Sequence, residues 1–163
     1  MLKRLENFLK KSEAVYKLIP HKTVYTTFDL SQTLRADSKA IAKTLLVRAD
    51  TEFIFAVVPG NRRLDIMKLK KIINAERKKK GERACQKLKI ASEAQIKMKI
   101  TKKAGTLVPF GSLYKQETYI DKLLLKNKKI ILNAGSFEEA IKITTSVYRK
   151  IEKPVEGLFS KAR

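Results

Sequence analysis

Three features of this 163-residue chain have residue types and spacing that could do chemistry. The first is Lys43, which opens the run Ile41-Ala42-Lys43-Thr44-Leu45-Leu46-Val47. Period-two alternation puts it on the same face as Leu45 and Val47. An ammonium on the apolar side of a strand either meets an anionic or carbonyl oxygen in a cleft or snorkels past the strand end into water. The pattern leaves both open. The second feature is Gly105-Thr106-Leu107-Val108-Pro109-Phe110-Gly111. Glycine lets a backbone approach a ligand and proline stiffens the loop, so N–H groups can be aimed at a developing oxyanion. A plain turn between strands is the alternative. The third is the pair His21 and Cys85, the only histidine and only cysteine. Nothing supplies a third, orienting group for a Cys–His nucleophile, and Cys85 reads as a passive, partly buried thiol. GxSxG, HExxH and GxxxxGK[ST] are all absent, which argues against those hydrolases and against a P-loop ATPase. One Cys and one His cannot build a structural zinc site of the usual kind, so no metal and no cofactor are expected.

These groups need a scaffold, and the composition allows one. With 44% hydrophobic residues the chain can form a single core. The expected elements are an amphipathic helix over 2–13, short strands at 16–19 and 24–27, and a short helix capped by Ser31. A helical turn at 37–42 and strands at 44–48 and 53–58 follow. Phe53 to Val58 is a continuous apolar run, so it reads as central and covered on both faces. Asp65 is placed to cap a helix carrying Ile66, Leu69 and Ile73. Further strands are expected at 88–91, 118–120 and 130–132, with a helix from Ser92. Residues 138–145 are ambiguous, and a terminal helix ends before Pro154. The pattern shows neither a repeat nor a linker, and one domain over 1–163 is expected. The class is α+β, a mixed sheet flanked by helices.

Charge points to a partner. The chain has 37 Lys and Arg against 16 Asp and Glu, a formal charge of +21. Such a field raises the on-rate for polyanions, nucleic acid first, unless the lysine surplus is only compositional. The basic clusters, among them Lys78-Lys79-Lys80 and Lys102-Lys103, adjoin apolar residues and read as the coat of a folded domain. An anionic membrane surface ranks last, because helix 2–13 is short and carries Glu6.

In order along the chain, several pieces resemble the YbaK family of aminoacyl-tRNA editing domains, also associated with prolyl-tRNA synthetases. His21-Lys22-Thr23-Val24-Tyr25-Thr26 is similar to the family's H-x-x-V-[FY]-T entry. Ala42-Lys43-Thr44-Leu45 resembles its K-T-L strand start. Ala56-Val57-Val58-Pro59, with Arg63-Leu64-Asp65 and Lys68-Leu69, resembles V-x-P … L-D … K-L. Gly105 to Pro109 is similar to the GxxxP loop, and Tyr119-Ile120-Asp121 and Asn133-Ala134-Gly135 match two later landmarks.

The resemblance implies a mixed, partly barrel-like sheet flanked by helices and a deacylase that clears mischarged tRNA. Close amino-acid analogues differ too little in binding for one site to exclude them, which is why separate editing sites exist. By the same resemblance Lys43, Gly105 and Pro109 are the catalytic group. Lys43 stabilises substrate charge or holds the substrate, and the loop frames the ester. His21, Thr26 and Thr44 are expected near the substrate, with His21 framing a loop. Thr106, Leu107 and Val108 line the pocket, and the segment Asn133-Ala134-Gly135-Ser136 forms another wall. The substrate's own ribose hydroxyl activates water, consistent with the lack of an evident general base. Lys78, Lys79, Lys80, Lys102 and Lys103 are expected on the RNA. The sequence departs from the family after Gly135, where Phe137-Glu138 follow Ser136 in place of a more usual His or polar residue. The acidic residue that some relatives use near Ala140 is also missing. The expected partners are mischarged tRNA(Pro) and prolyl-tRNA synthetase, with a monomeric, cytoplasmic, free-standing protein. A non-catalytic RNA-binding module of the same fold is the alternative.

Overall fold

The computed structural model describes residues 1–101 and 106–163. Its centre is a five-stranded sheet in the order β5-β2-β3-β6-β9. β2 (Ala42–Ala49) and β3 (Glu52–Pro59) form an antiparallel hairpin. Asp50 stands at its turn with φ 58°. β6 (Glu117–Asp121) runs parallel to β3, and β9 (Val155–Gly157) runs parallel to β6. β5 (Leu88–Ile90) closes the other edge against β2. Ile54 to Pro59 are all buried, as expected of a strand covered on both faces.

The central sheet has two different faces. On one, Val47, Ala56, Val58 and Tyr119 pack with Leu69 and Ile73 of α3 (Ile66–Lys79) and with Phe159. Asp65 caps α3 as expected, its Oδ1 accepting the Lys68 N–H at 3.2 Å. On the other face, Ala42, Val57 and Ile120 meet Val108, Phe110 and Tyr148. Leu46 and Phe55 meet Leu107 and Ile96 of α4 (Glu93–Lys99), which opens on a Ser92–Gln95 capping box. This second face also packs on a three-stranded antiparallel sheet, β1-β8-β7, made of β1 (Lys17–Pro20), β8 (Glu139–Thr144) and β7 (Lys129–Asn133). Its inner residues Ile130, Leu132, Ile141 and Ile143 share that core with Leu5 and Leu9 of α1 (Lys3–Lys11). A parallel bridge, Ile41 to Ile131, ties the two sheets. A third, two-stranded sheet pairs β4 (Arg62–Leu64) with β10 (Ser160–Ala162). The expected mixed sheet flanked by helices is present, as open sheets and not a closed barrel among the described residues. None of the described helices is long and apolar enough to cross a membrane.

Some local expectations change. Residues 24–27 form no strand. Thr26 caps α2 (Thr27–Leu34) instead, its hydroxyl accepting the Asp29 N–H at 3.0 Å. That cap turns a β-branched stretch into a helix start. Ser31, the expected cap, sits inside α2, buried and donating to the Phe28 carbonyl at 2.7 Å. A short helix, α5 (Lys122–Leu125), follows β6, and the ambiguous segment splits into β8 and α6 (Thr145–Glu152), with Thr144 as the cap of α6. The short strands β9 and β10 lie beyond Pro154.

Candidate functional site

A small cleft opens where β2 begins. It lies between the start of α2 and the turn after β7. Its walls include His21, Tyr25, Thr26, Ala42, Asn133, Ser136 and Glu139. Its free volume is about 70 Å³, enough for a few waters or a small side chain. Backbone bonds fix its rim: His21 N–H to the Glu138 carbonyl at 2.8 Å and Val24 N–H to the Phe137 carbonyl at 3.0 Å. His21 Nδ1 lies 2.7 Å from the Lys22 carbonyl, which makes Nδ1 the protonated nitrogen. The contact is local, between the ring and the carbonyl of the next residue. Gly135 adopts φ 92°, and a Cβ there would stand 2.5 Å from Leu2 Cβ, so the turn requires glycine. Its N–H donates to Asn133 Oδ1 at 2.7 Å.

Beside the cleft, on the same face of the central sheet, lies the loop from Thr106 to Phe110. All five residues are buried. A tight turn joins Phe110 N–H to the Val108 carbonyl at 2.8 Å. α6 holds this loop from one side with two residues a helical turn apart. The Tyr148 hydroxyl donates to the Pro109 carbonyl at 2.6 Å. The Glu152 carboxylate accepts from Ser112 Oγ at 2.6 Å, Ser112 N–H at 3.2 Å and Thr118 Oγ1 at 2.6 Å. Thr118 Oγ1 in turn accepts the Gly111 N–H at 2.8 Å. A Cβ on Gly111 would come within 2.8 Å of the Gln116 carbonyl and of Thr118 Oγ1, so this close approach also needs glycine. Burial pushes the Glu152 carboxyl above its ordinary value, against the opposing pull of the Ser112 and Thr118 bonds. Burial also pushes the Tyr148 phenol up.

The predicted residues fall into three groups. His21, Thr26 and Ser136 gather at the cleft, with Gly135 in its supporting turn. Thr106, Leu107, Val108 and Pro109 form the adjoining buried loop, and Thr44 points to that loop's side of β2, opposite Val57. Lys43 is partly buried and lies across the sheet, on the Leu45, Val47 and Val58 face that α3 covers. Burial, then the neighbouring charge of Arg163, lowers its ammonium pKa. Among the described residues, no ion pair joins Lys43 to an acidic side chain. Gly105, Lys102 and Lys103 lie outside the described residues. Cys85 is buried, its thiol raised first by burial.

Lys78, Lys79 and Lys80 are exposed at the end of α3. Arg77 beside them reaches Asp50 at 3.6 Å, at the far end of β2 from the cleft. Seven strand steps at roughly 3.3 Å each separate the two sites by about 23 Å. Lys80 is paired with Glu117 at 3.0 Å, and that hydrogen bond holds its pKa up. Sequence reasoning missed Tyr25 and Glu139 in the cleft and Tyr148 and Glu152 behind the loop. Next to Ala140, where the resemblance implies a missing acid, Glu139 lines the cleft and pairs with the Met1 ammonium.

The sequence profile of the aminoacyl-tRNA editing domain matches residues 21–151, a span that holds the cleft, the loop and α6 almost entirely. The chain belongs to the aminoacyl-tRNA editing domain family. This editing domain is 26% identical over 108 residues to the proline–tRNA ligase of Bacillus velezensis. The matched stretch is 66% of this chain and 17% of the ligase, so the editing domain corresponds to a small part of that relative. The solved structure of hypothetical protein APE2540 superposes with a TM-score of 0.81 at 17% identity, over 98% of this chain and 100% of that one. A candidate trans-editing enzyme for prolyl tRNA synthetase superposes with a TM-score of 0.77 at 17% identity, over 98% and 96%. At these identities the likeness to both is one of fold.

Proposed function

We propose that this editing domain hydrolyses the ester of mischarged tRNA, tRNA(Pro) first, and acts in trans on tRNA released by prolyl-tRNA synthetase. The observation that supports it most is the joining of a small cleft to a rigidly held buried loop inside the family's own span. The cleft takes a small aminoacyl side chain. The loop around Thr106 to Pro109 frames the carbonyl, and backbone N–H groups held in place stabilise the oxyanion without reorganising. The attacking water is activated by the substrate's ribose hydroxyl. Lys43, whose ammonium is opposed by the charge of Arg163, holds the substrate's negative charge at the start of β2. A panel of misacylated tRNAs tests the proposal. Release of the amino acid from mischarged tRNA(Pro) is expected, and Lys43→Ala should slow it by about 10²-fold, with a smaller loss of binding. No release above buffer from any tRNA overturns it.

Lys43 faces away from the loop, and this favours one second reading: a module that retains tRNA without turnover. It predicts binding that weakens steeply with salt and no hydrolysis.

A further inference from the structure

The cleft is too small for a nucleoside. Its volume of about 70 Å³ is far below the roughly 300–1,000 Å³ of pockets that enclose drug-sized ligands. A substrate whose aminoacyl group enters it must leave its terminal base on the rim. There the chain presents Tyr25, 69% exposed, and three residues on, Phe28 is 63% exposed. Tyr25 lines the cleft and meets Phe137 edge to face, with ring centroids 4.9 Å apart. Its backbone sits between Val24, bonded to Phe137, and Thr26, the helix cap. The ring is therefore buttressed on one side and open to solvent over most of its surface. Lys22, exposed three residues earlier, adds a cation for a phosphate.

We infer that Tyr25 is a stacking platform for the terminal adenine of a single-stranded RNA 3′ end whose aminoacyl group occupies the cleft. An aromatic face beside cationic side chains is the general device by which proteins hold single-stranded nucleic acid. Two rings are too small a patch for a stable protein interface, which buries about 1,200–2,000 Å² in total. The +21 charge selects a polyanion over a neutral partner.

The inference rests on the reading of the cleft as the aminoacyl pocket, and its test needs no hydrolysis. The probe is an uncharged RNA oligonucleotide ending in CCA, with 2-aminopurine replacing the terminal adenine. Stacking on Tyr25 quenches its fluorescence. Tyr25→Ala should abolish the quench and weaken binding by about 5- to 150-fold, whereas Tyr25→Phe should keep both. Equal quenching by wild type and Tyr25→Ala overturns the platform. So does a Tyr25→Ala protein that binds the oligonucleotide normally but loses prolyl-tRNA synthetase, because the ring then serves a protein partner. If Tyr25-dependent quenching persists while no misacylated tRNA is hydrolysed, the platform stands and the deacylase reading falls.

Discussion

Two of the helices that cover the central sheet, α3 and α6, do so by different means. α3 lies on its face through an apolar stripe, Leu69 and Ile73, with Asp65 capping its start and Arg77 to Lys80 at its finish. Most of its charges are exposed, and several do the same work. α6 instead sends Tyr148 and Glu152 into the interior, where each makes contacts that nothing nearby duplicates. Attraction spread over many lysines tolerates loss of a few. Geometry set by two buried side chains does not. The difference separates what brings a polyanion to the protein from what holds the loop beside the cleft.

Glu152→Ala attacks the second kind of contact and should have the largest effect on stability. It leaves the buried Thr118 hydroxyl without its acceptor and opens a void at the end of α6. The expected cost is about 3 kcal/mol, or roughly 6–12 °C in Tm. Its pH dependence has a defined sign. The folded carboxyl titrates above its ordinary value of 4.5, so the folded state holds the proton more tightly than the unfolded chain. The stability gained from the neutral carboxyl is complete below the unfolded pKa and is lost as pH rises through the folded one. The deficit of Glu152→Ala, read by thermal melts, should therefore be greatest near pH 4.5 and shrink at higher pH. Glu152→Gln, which cannot ionise, should show no such trend of its own. A deficit constant with pH would show that Glu152 titrates as it does in the unfolded chain.

Tyr148→Phe is a gentler break at the same place. It keeps the ring that packs against Phe110 at 5.3 Å and removes only the hydroxyl bonded to Pro109. The buried carbonyl loses its partner, at about 1–2 kcal/mol. If the loop frames the ester, deacylation should fall while tRNA affinity stays near wild type. An unchanged rate in a protein destabilised by that amount would separate the loop's anchoring from the chemistry.

The same contrast explains what could be read from the sequence. The stripe under α3 and the run 53–58 repeat at short, regular intervals, and the Asp65 cap is a local pattern, so all three were legible. The alternation that put Lys43 with Leu45 and Val47 was also right. It did not say which face the loop would take, because that depends on how segments 60 residues away pack. Tyr148 and Glu152 find their partners 39 and 40 positions earlier in the chain, at Pro109 and Ser112. In sequence they read only as part of a terminal helix. Residues 24–27 misled for the opposite reason. Their β-branched side chains favour a strand, but the Thr26 hydroxyl stabilises a helix start and leaves Tyr25 on the rim. β9 and β10 are three residues each, too short to show alternation.

Neutralising Lys78, Lys79 and Lys80 together to Gln tests the other side of the comparison and should change stability least. All three are exposed, and cations at a helix end contribute only tenths of a kcal/mol each. Their effect belongs on RNA affinity and its salt dependence. Each lysine that contacts a phosphate adds about one to the salt slope. Lys80 is already engaged by Glu117, so the triple variant should lower the slope by about two, not three. The cluster stands about 23 Å from the cleft along β2, so under the proposed function it would meet the body of a tRNA and not its 3′ end. Affinity for full-length tRNA should therefore fall in the variant while affinity for a short CCA oligonucleotide stays the same. Equal losses for both would place the cluster on the path of the 3′ end. No loss for either would make the lysine surplus compositional.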